Sequence, residues 1–120
     1  MRHTVSLKKN AQFRSVYNRG RSLANRALVM YILKNQEEQN KFGVSVSKKV
    51  GKSVVRSRVS RLIKESYRLS EPHVKPGFDI VVIARASAKG ASYAEIESAL
   101  RHLLRKHGLW FSAQGMGGSC

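Results

Sequence analysis

Nine of the 23 lysines and arginines fall within the 28 positions from 41 to 68, at Lys41, Lys48, Lys49, Lys52, Arg56, Arg58, Arg61, Lys64 and Arg68, and only Glu65 opposes them. Arg61, Lys64 and Arg68 recur at i, i+3 and i+7, the spacing that lines side chains up along a helix. Like charges in such a line repel unless something anionic lies along it, and a phosphate backbone has the matching shape. Guanidinium groups suit that contact, because they stay charged and offer phosphate oxygens two parallel N–H donors. Lys48 and Lys49, with the turn at Gly51, precede the helix, whose free N-terminal amides add a further attraction for anions. The bland alternative is a solvated cationic surface with no partner, which leaves the repulsion uncompensated.

A second group pairs aromatics with cations. Phe13 and Tyr17 are i, i+4 neighbours with Arg14 between them, and Tyr31 lies in an extended apolar stretch. Aromatic faces stack on unpaired bases while adjacent cations hold phosphates, so such a groove binds a single strand with little reading of sequence. Burial is the competing explanation: Phe13 suits a core, and Tyr17 and Tyr31 suit either a core or a polar edge that meets their hydroxyls.

Groups for independent catalysis are poorly arranged. His3, His73, His102 and His107 are scattered, and His102 and His107, five apart, fall on different sides of a helix. The single cysteine, Cys120, excludes an intrachain disulfide, and no His and Cys spacing suits a metal. Asp79 opens a strand, and Glu95 and Glu97 lie in a helix's first turn, where capping and the helix dipole account for them. No glycine-rich phosphate loop appears.

The elements that must position these residues belong to one domain, since 120 residues with 42 % hydrophobic and 25 % charged content form an ordinary globular chain. Against 23 cations stand 7 acids, a net +16 that asks for a polyanionic partner. The longest apolar run, 27–33, is far short of the ~20 residues of a spanning helix, and Met1, Arg2 and His3 lead to Lys8 and Lys9 instead of an apolar signal core. The expectation is a cytoplasmic protein that does not enter membranes.

Asn10 is predicted to cap a helix over 11–19 that stops at Gly20. An extended stretch over 22–34 follows, divided at Asn25 and Arg26, with 27–33 covered on both faces. Phe42, Val44 and Val46 alternate with small residues in a half-buried strand. A helix from Ser53 to about Arg68 buries Val55, Val59, Leu62, Ile63 and Ser66, and another buried strand spans 78–84. A last helix starts at the capping box of Ser92 and Glu95, buries Ile96, Ala99, Leu100, Leu103 and Leu104, and stops near Gly108. Residues 115–120 form a small, Gly-rich tail, leaving 1–114 as the domain.

The run Phe42-Gly43-Val44-Ser45-Val46-Ser47-Lys48-Lys49-Val50-Gly51, followed by Val54-Val55-Arg56-Ser57-Arg58-Val59-Ser60-Arg61-Leu62-Ile63-Lys64-Glu65, closely resembles the protein subunit of bacterial ribonuclease P. The likeness extends to Leu7-Lys8-Lys9-Asn10, Tyr17-Asn18-Arg19-Gly20, Ala24-Asn25-Arg26, Ile83-Ala84-Arg85 and Leu103-Leu104-Arg105-Lys106. It implies an α+β fold, a two-layer α/β sandwich like the second domain of ribosomal protein S5. The order read from the residues is helix, two or three strands, helix, strand, helix in one α+β layer arrangement, and the resemblance implies that the arginine helix sits in a left-handed crossover between parallel strands.

The resemblance also implies a ribonucleoprotein whose RNA subunit and bound magnesium ions cleave the 5′ leader from precursor tRNA. One protein joins each RNA and is monomeric when free. Catalytic-RNA contacts then fall to Arg56, Ser57, Arg58, Arg61, Lys64 and Arg68, with Lys48 and Lys49 beside them. A cleft for the leader maps onto Phe13, Tyr17, Tyr31 and Trp110. No residue of this chain is implied to be catalytic or to hold the metal.

Three positions depart from the family's motif. Ser57 replaces an asparagine, Ser60 a lysine, and Lys52 the asparagine after the turn glycine, so that the helix cap is expected to pass to Ser53. The competing function is that of a structural RNA-binding protein of ribosomal character, for which the aromatic groove is incidental. A nuclease acting alone is the third.

Overall fold

The computed structural model describes residues 4–111. Along the chain it forms β1 (Thr4–Ser6), α1 (Asn10–Arg19), β2 (Arg21–Ala24), β3 (Leu28–Lys34), β4 (Asn40–Ser45), α2 (Ser53–Ser70), β5 (Phe78–Ala84) and α3 (Tyr93–Lys106), with short 3-10 turns at Glu71–His73 and Ala86–Ala88. The five strands make one mixed sheet in the order β1-β4-β5-β3-β2. β4 runs parallel to both β1 and β5, and β3 runs antiparallel to β5 and β2. The β4–α2–β5 unit is thus a crossover between neighbouring parallel strands, with the arginine-rich helix as its connection.

The period of two along β3 decides the layers. Leu28, Met30 and Ile32 are buried while Val29, Tyr31 and Leu33 are partly so, which means that both faces are covered, unequally. On the first face Leu28, Met30, Phe42, Ile80 and Val82 meet Val59, Ile63 and Tyr67 of α2 and Ile96, Leu100 and Leu103 of α3 in the main core. On the second face a smaller cluster of Leu7, Val16 and Val81 is joined by partly buried Phe13, Tyr17, Tyr31, Leu33 and Ile83. The sandwich therefore has two helices on one face, and one short helix leaves the other face partly open.

Several expectations change in detail. Asn10 does not cap α1 but is its first residue; Lys9 takes the cap position, and Gln12 Oε1 accepts from the backbone N–H groups of Lys8 and Lys9, satisfying amides that an asparagine cap would not reach. Ser53 likewise opens α2 as a helical residue, after Lys52 at a cap position without a side-chain bond. The Ser92 and Glu95 box forms as predicted, with Ser92 Oγ accepting from Glu95 N at 3.1 Å and Glu95 Oε1 from Ser92 N at 2.8 Å. β1 is an addition to the predicted elements: its three residues carry no period, and it forms only by pairing with β4.

Tyr67, also unanticipated as core, heads the largest fully buried side chains. Its ring stacks on Phe42 at 4.0 Å, and its hydroxyl meets Thr4 Oγ1 at 2.9 Å and accepts from Asn40 Nδ2 at 3.3 Å. Burial pushes its phenol pKa above the ordinary value. Thr4 lies on β1 and Asn40 on β4, so the polar end of this helix residue ties the edge of the sheet to α2.

Candidate nucleic-acid interface

α2 forms because Val59, Ile63, Ser66, Tyr67 and Ser70 recur on one side and are buried against the sheet and α3. That leaves Ser57, Arg58, Arg61, Lys64, Glu65 and Arg68 exposed and Arg56 and Ser60 half-buried. A shallow groove of ≈ 650 Å³ runs down this side, lined by Arg56, Ser57, Ser60, Arg61, Lys64 and Arg68, with Val46 at its edge. Lys48 and Lys49 are exposed in the turn that leads from β4 into α2, where buried Val50 anchors the chain.

The cations differ in what occupies them. Arg56 Nε donates to Gly51 O at 3.2 Å and Arg58 Nη2 to Ala91 O at 3.0 Å, so both brace the ends of other segments. Arg68 is held by Glu65 in a bidentate pair, with Nε donating to Oε1 at 3.0 Å and Nη2 to Oε2. That pairing holds the Glu65 carboxyl below its usual pKa and raises that of Arg68. Both groups are exposed, so the pair screens charge more than it stabilises the helix. Among the described residues Arg61 and Lys64 have no hydrogen-bonded or ionic partner of their own.

Three of the four predicted aromatics gather on the open face of the sheet. Phe13 and Tyr17, one turn apart on α1, have ring centroids 6.4 Å apart, and Tyr17 meets Tyr31 of β3 edge-on at 5.1 Å. A depression of ≈ 360 Å³ opens beside them, lined by Asn10, Phe13, Arg14, Tyr17, Val44 and Ser45. Val44 and Ser45 line this depression and Val46 the groove along α2, so consecutive residues at the end of β4 border the two surfaces.

Trp110 is elsewhere. It packs against the main core, pairs its backbone with Val74, stacks on His73 at 4.7 Å, and carries the guanidiniums of Arg101 and Arg105 at 5.5 Å from its centroid. The structure thus separates Trp110 from the cleft that it was expected to share, because the segment after α3 returns to the 3-10 turn that follows α2. Gly43, a glycine inside an alternating strand, signals close approach of another group. Here that group is Phe13, whose ring covers it.

Among the described residues no three His, Cys, Asp or Glu side chains are gathered to hold a metal ion. No described helix is long and apolar enough to cross a membrane. Residues 115–120, expected as a tail, lie outside the described residues.

Fold and surfaces together define a class: a small, strongly basic α+β protein in which a parallel crossover carries a cation-lined helix beside a half-open aromatic sheet face. A family model described as Ribonuclease P matches residues 1–108. The ribonuclease P protein component of Alkaliphilus metalliredigens is 58% identical over 106 residues, covering 88% of this chain and 96% of that one. That of Lachnoclostridium phytofermentans is 54% identical over 109 residues, covering 91% and 94%. Among solved structures, the RNase P protein of Staphylococcus aureus aligns with TM-score 0.81 at 36% identity, covering 88% of this chain and 97% of that one. The RNase P protein from Thermotoga maritima aligns with TM-score 0.78 at 28% identity, covering 84% and 96%. The chain belongs to the ribonuclease P protein family.

Proposed function

We propose that the chain binds the catalytic RNA of ribonuclease P along α2 and the 5′ leader of precursor tRNA over the aromatic face beside α1. The RNA subunit carries the cleavage, with magnesium ions held by that RNA and the substrate. One copy of the protein joins each RNA and is monomeric when free. Its work is to neutralise phosphate charge where two RNAs come close, which lowers the magnesium the RNA needs and positions the leader.

The supporting observation is the junction at the end of β4. There Val46 borders the groove along Arg61 and Lys64, and Val44 and Ser45 border the depression beside Phe13, Arg14 and Tyr17, which supports a folded RNA on α2 next to a single strand over the sheet. The aromatics beside the depression are only partly buried, an arrangement a purely structural RNA-binding protein does not need.

Precursor-tRNA cleavage by the protein alone, by the catalytic RNA alone at low magnesium, and by the mixture tests the reading. Cleavage is expected only in the mixture, or much faster there than with RNA alone. Equal rates with and without protein overturn the proposal, and cleavage by the protein alone replaces it with that of an independent nuclease.

A further inference from the structure

A second depression, ≈ 710 Å³, lies between the turn joining β2 to β3, the segment that leads into α3, and α3 itself. Its lining combines the small residues Ala27, Ala91, Ala94 and Ala99, of which half-buried Ala27, Ala91 and Ala99 make up its floor, with Arg26, Lys89 and His102. The turn is held from several sides. Asn25 Nδ2 donates to Ala99 O at 2.9 Å and meets His102 Nδ1 at 3.1 Å, while Asn25 Oδ1 accepts from Leu28 N at 3.0 Å and Ala27 N at 3.2 Å. Those two acceptances fix which way the amide points. His102 Nδ1 is then the acceptor, and its Nε2 carries the proton and is left to donate. Arg85 N donates to Ala27 O at 2.9 Å, and Ser87 Oγ to Arg26 O.

The backbone is therefore immobilised while the Arg26 and Lys89 side chains make no hydrogen bond or ion pair among the described residues. The one carboxylate of the lining, Glu95, is occupied by the Ser92 N–H. Two free cations, an N–H donor and a floor without long side chains form a preorganised surface for ribose and phosphate, with little ordering left to be done on binding. The depression also adjoins α2, because the Arg58 guanidinium donates to Ala91 O at 3.0 Å beside its floor.

We infer that this depression extends the footprint of the catalytic RNA from α2 across the start of α3, with Arg26 and Lys89 each holding a phosphate of that RNA. The inference rests on the proposed role of α2. Its test measures binding of the full chain to catalytic RNA across a salt series, and of the assembled holoenzyme to precursor tRNA. In the R26A/K89A double variant, catalytic-RNA affinity is expected to fall at least about tenfold, with a salt slope shallower by about two, one for each lost phosphate contact. Precursor-tRNA affinity of the assembled complex and the thermal midpoint of the protein stay unchanged, and R26K/K89R restores most of the binding.

R61A, measured alongside, separates the two readings. If R61A weakens catalytic-RNA binding and R26A/K89A does not, the footprint ends at α2 and this inference fails alone. If R61A has no effect, the role of α2 fails and the extension falls with it. A loss confined to precursor tRNA overturns the inference in favour of a substrate contact.

Discussion

The ring of Phe13 sits where a side chain on Gly43 would begin: a Cβ at position 43 would lie 2.5 Å from Phe13 Cζ. Gly43 is buried in β4, opposite Val81 of β5, so α1 rests directly on the strand's backbone. The absence of one methyl group sets the depth at which Phe13 lies, and through it the position of Tyr17 and Arg14 around the depression.

Gly43→Ala is therefore expected to lift Phe13 and to destabilise the fold by about 1–3 kcal/mol, the usual cost of overpacking. Precursor-tRNA affinity of the assembled complex should fall more than affinity for leaderless tRNA, while catalytic-RNA binding is retained. Urea denaturation and paired binding titrations check it; equal losses for both substrates would detach Gly43 from the proposed leader site.

Arg61→Ala and Lys64→Ala each remove a cation with no other occupation, so each should weaken catalytic-RNA binding and lower its salt slope by about one. Arg68→Ala should do less, because Glu65 already competes for that guanidinium. Glu65→Gln should accordingly tighten binding and steepen the slope. A slope unchanged in Glu65→Gln would mean that Arg68 does not touch phosphate.

Tyr17 lines the depression, whereas Tyr31 supports it from beneath, edge-on at 5.1 Å. Tyr17→Ala is expected to cost about 1–3 kcal/mol of precursor-tRNA affinity and to spare leaderless tRNA, with Tyr31→Ala smaller in the same sense. Trp110→Ala should lower the thermal midpoint without distinguishing the two substrates. A leader-selective loss in Trp110→Ala would contradict its separation from the cleft.

His107 is buried at the end of α3, where its Nε2–H donates to Met30 O at 3.0 Å and its Nδ1 has no partner. Burial lowers its pKa below the ordinary 6.5, the Met30 bond opposes this in part, and the nearby charges of Arg21 and Lys106 lower it further. The unfolded chain thus takes up this proton at a higher pH than the folded one. The stability contribution is present above about pH 6.5 and is lost as pH falls from there toward the folded-state pKa, with a slope of at most about 1.4 kcal/mol per pH unit. Urea midpoints from pH 7.5 to 5 should show this fall in the native chain and a flatter profile in His107→Gln, and matching profiles would remove His107 as the cause.

Much of this protein can be read from residues close together in the chain. The helical period over 53–68, the cation line of Arg61, Lys64 and Arg68, the Phe13 and Tyr17 pair, and the Ser92 and Glu95 box all lie within a few turns of backbone, where local geometry leaves little choice. The sequence by itself therefore determined the helices, the central strands and two chemically distinct surfaces. Which cations are free, which aromatics share a face and where the sheet ends were decided by tertiary structure. Arg58 is drawn to Ala91, β1 exists only against β4, Tyr67 finds its polar partners on two strands, and Trp110 joins the main core. Each of these depends on the register of distant strands and on which side of the sheet a helix settles. A side chain's period shows that it faces inward, but only the packed sheet supplies the face it meets.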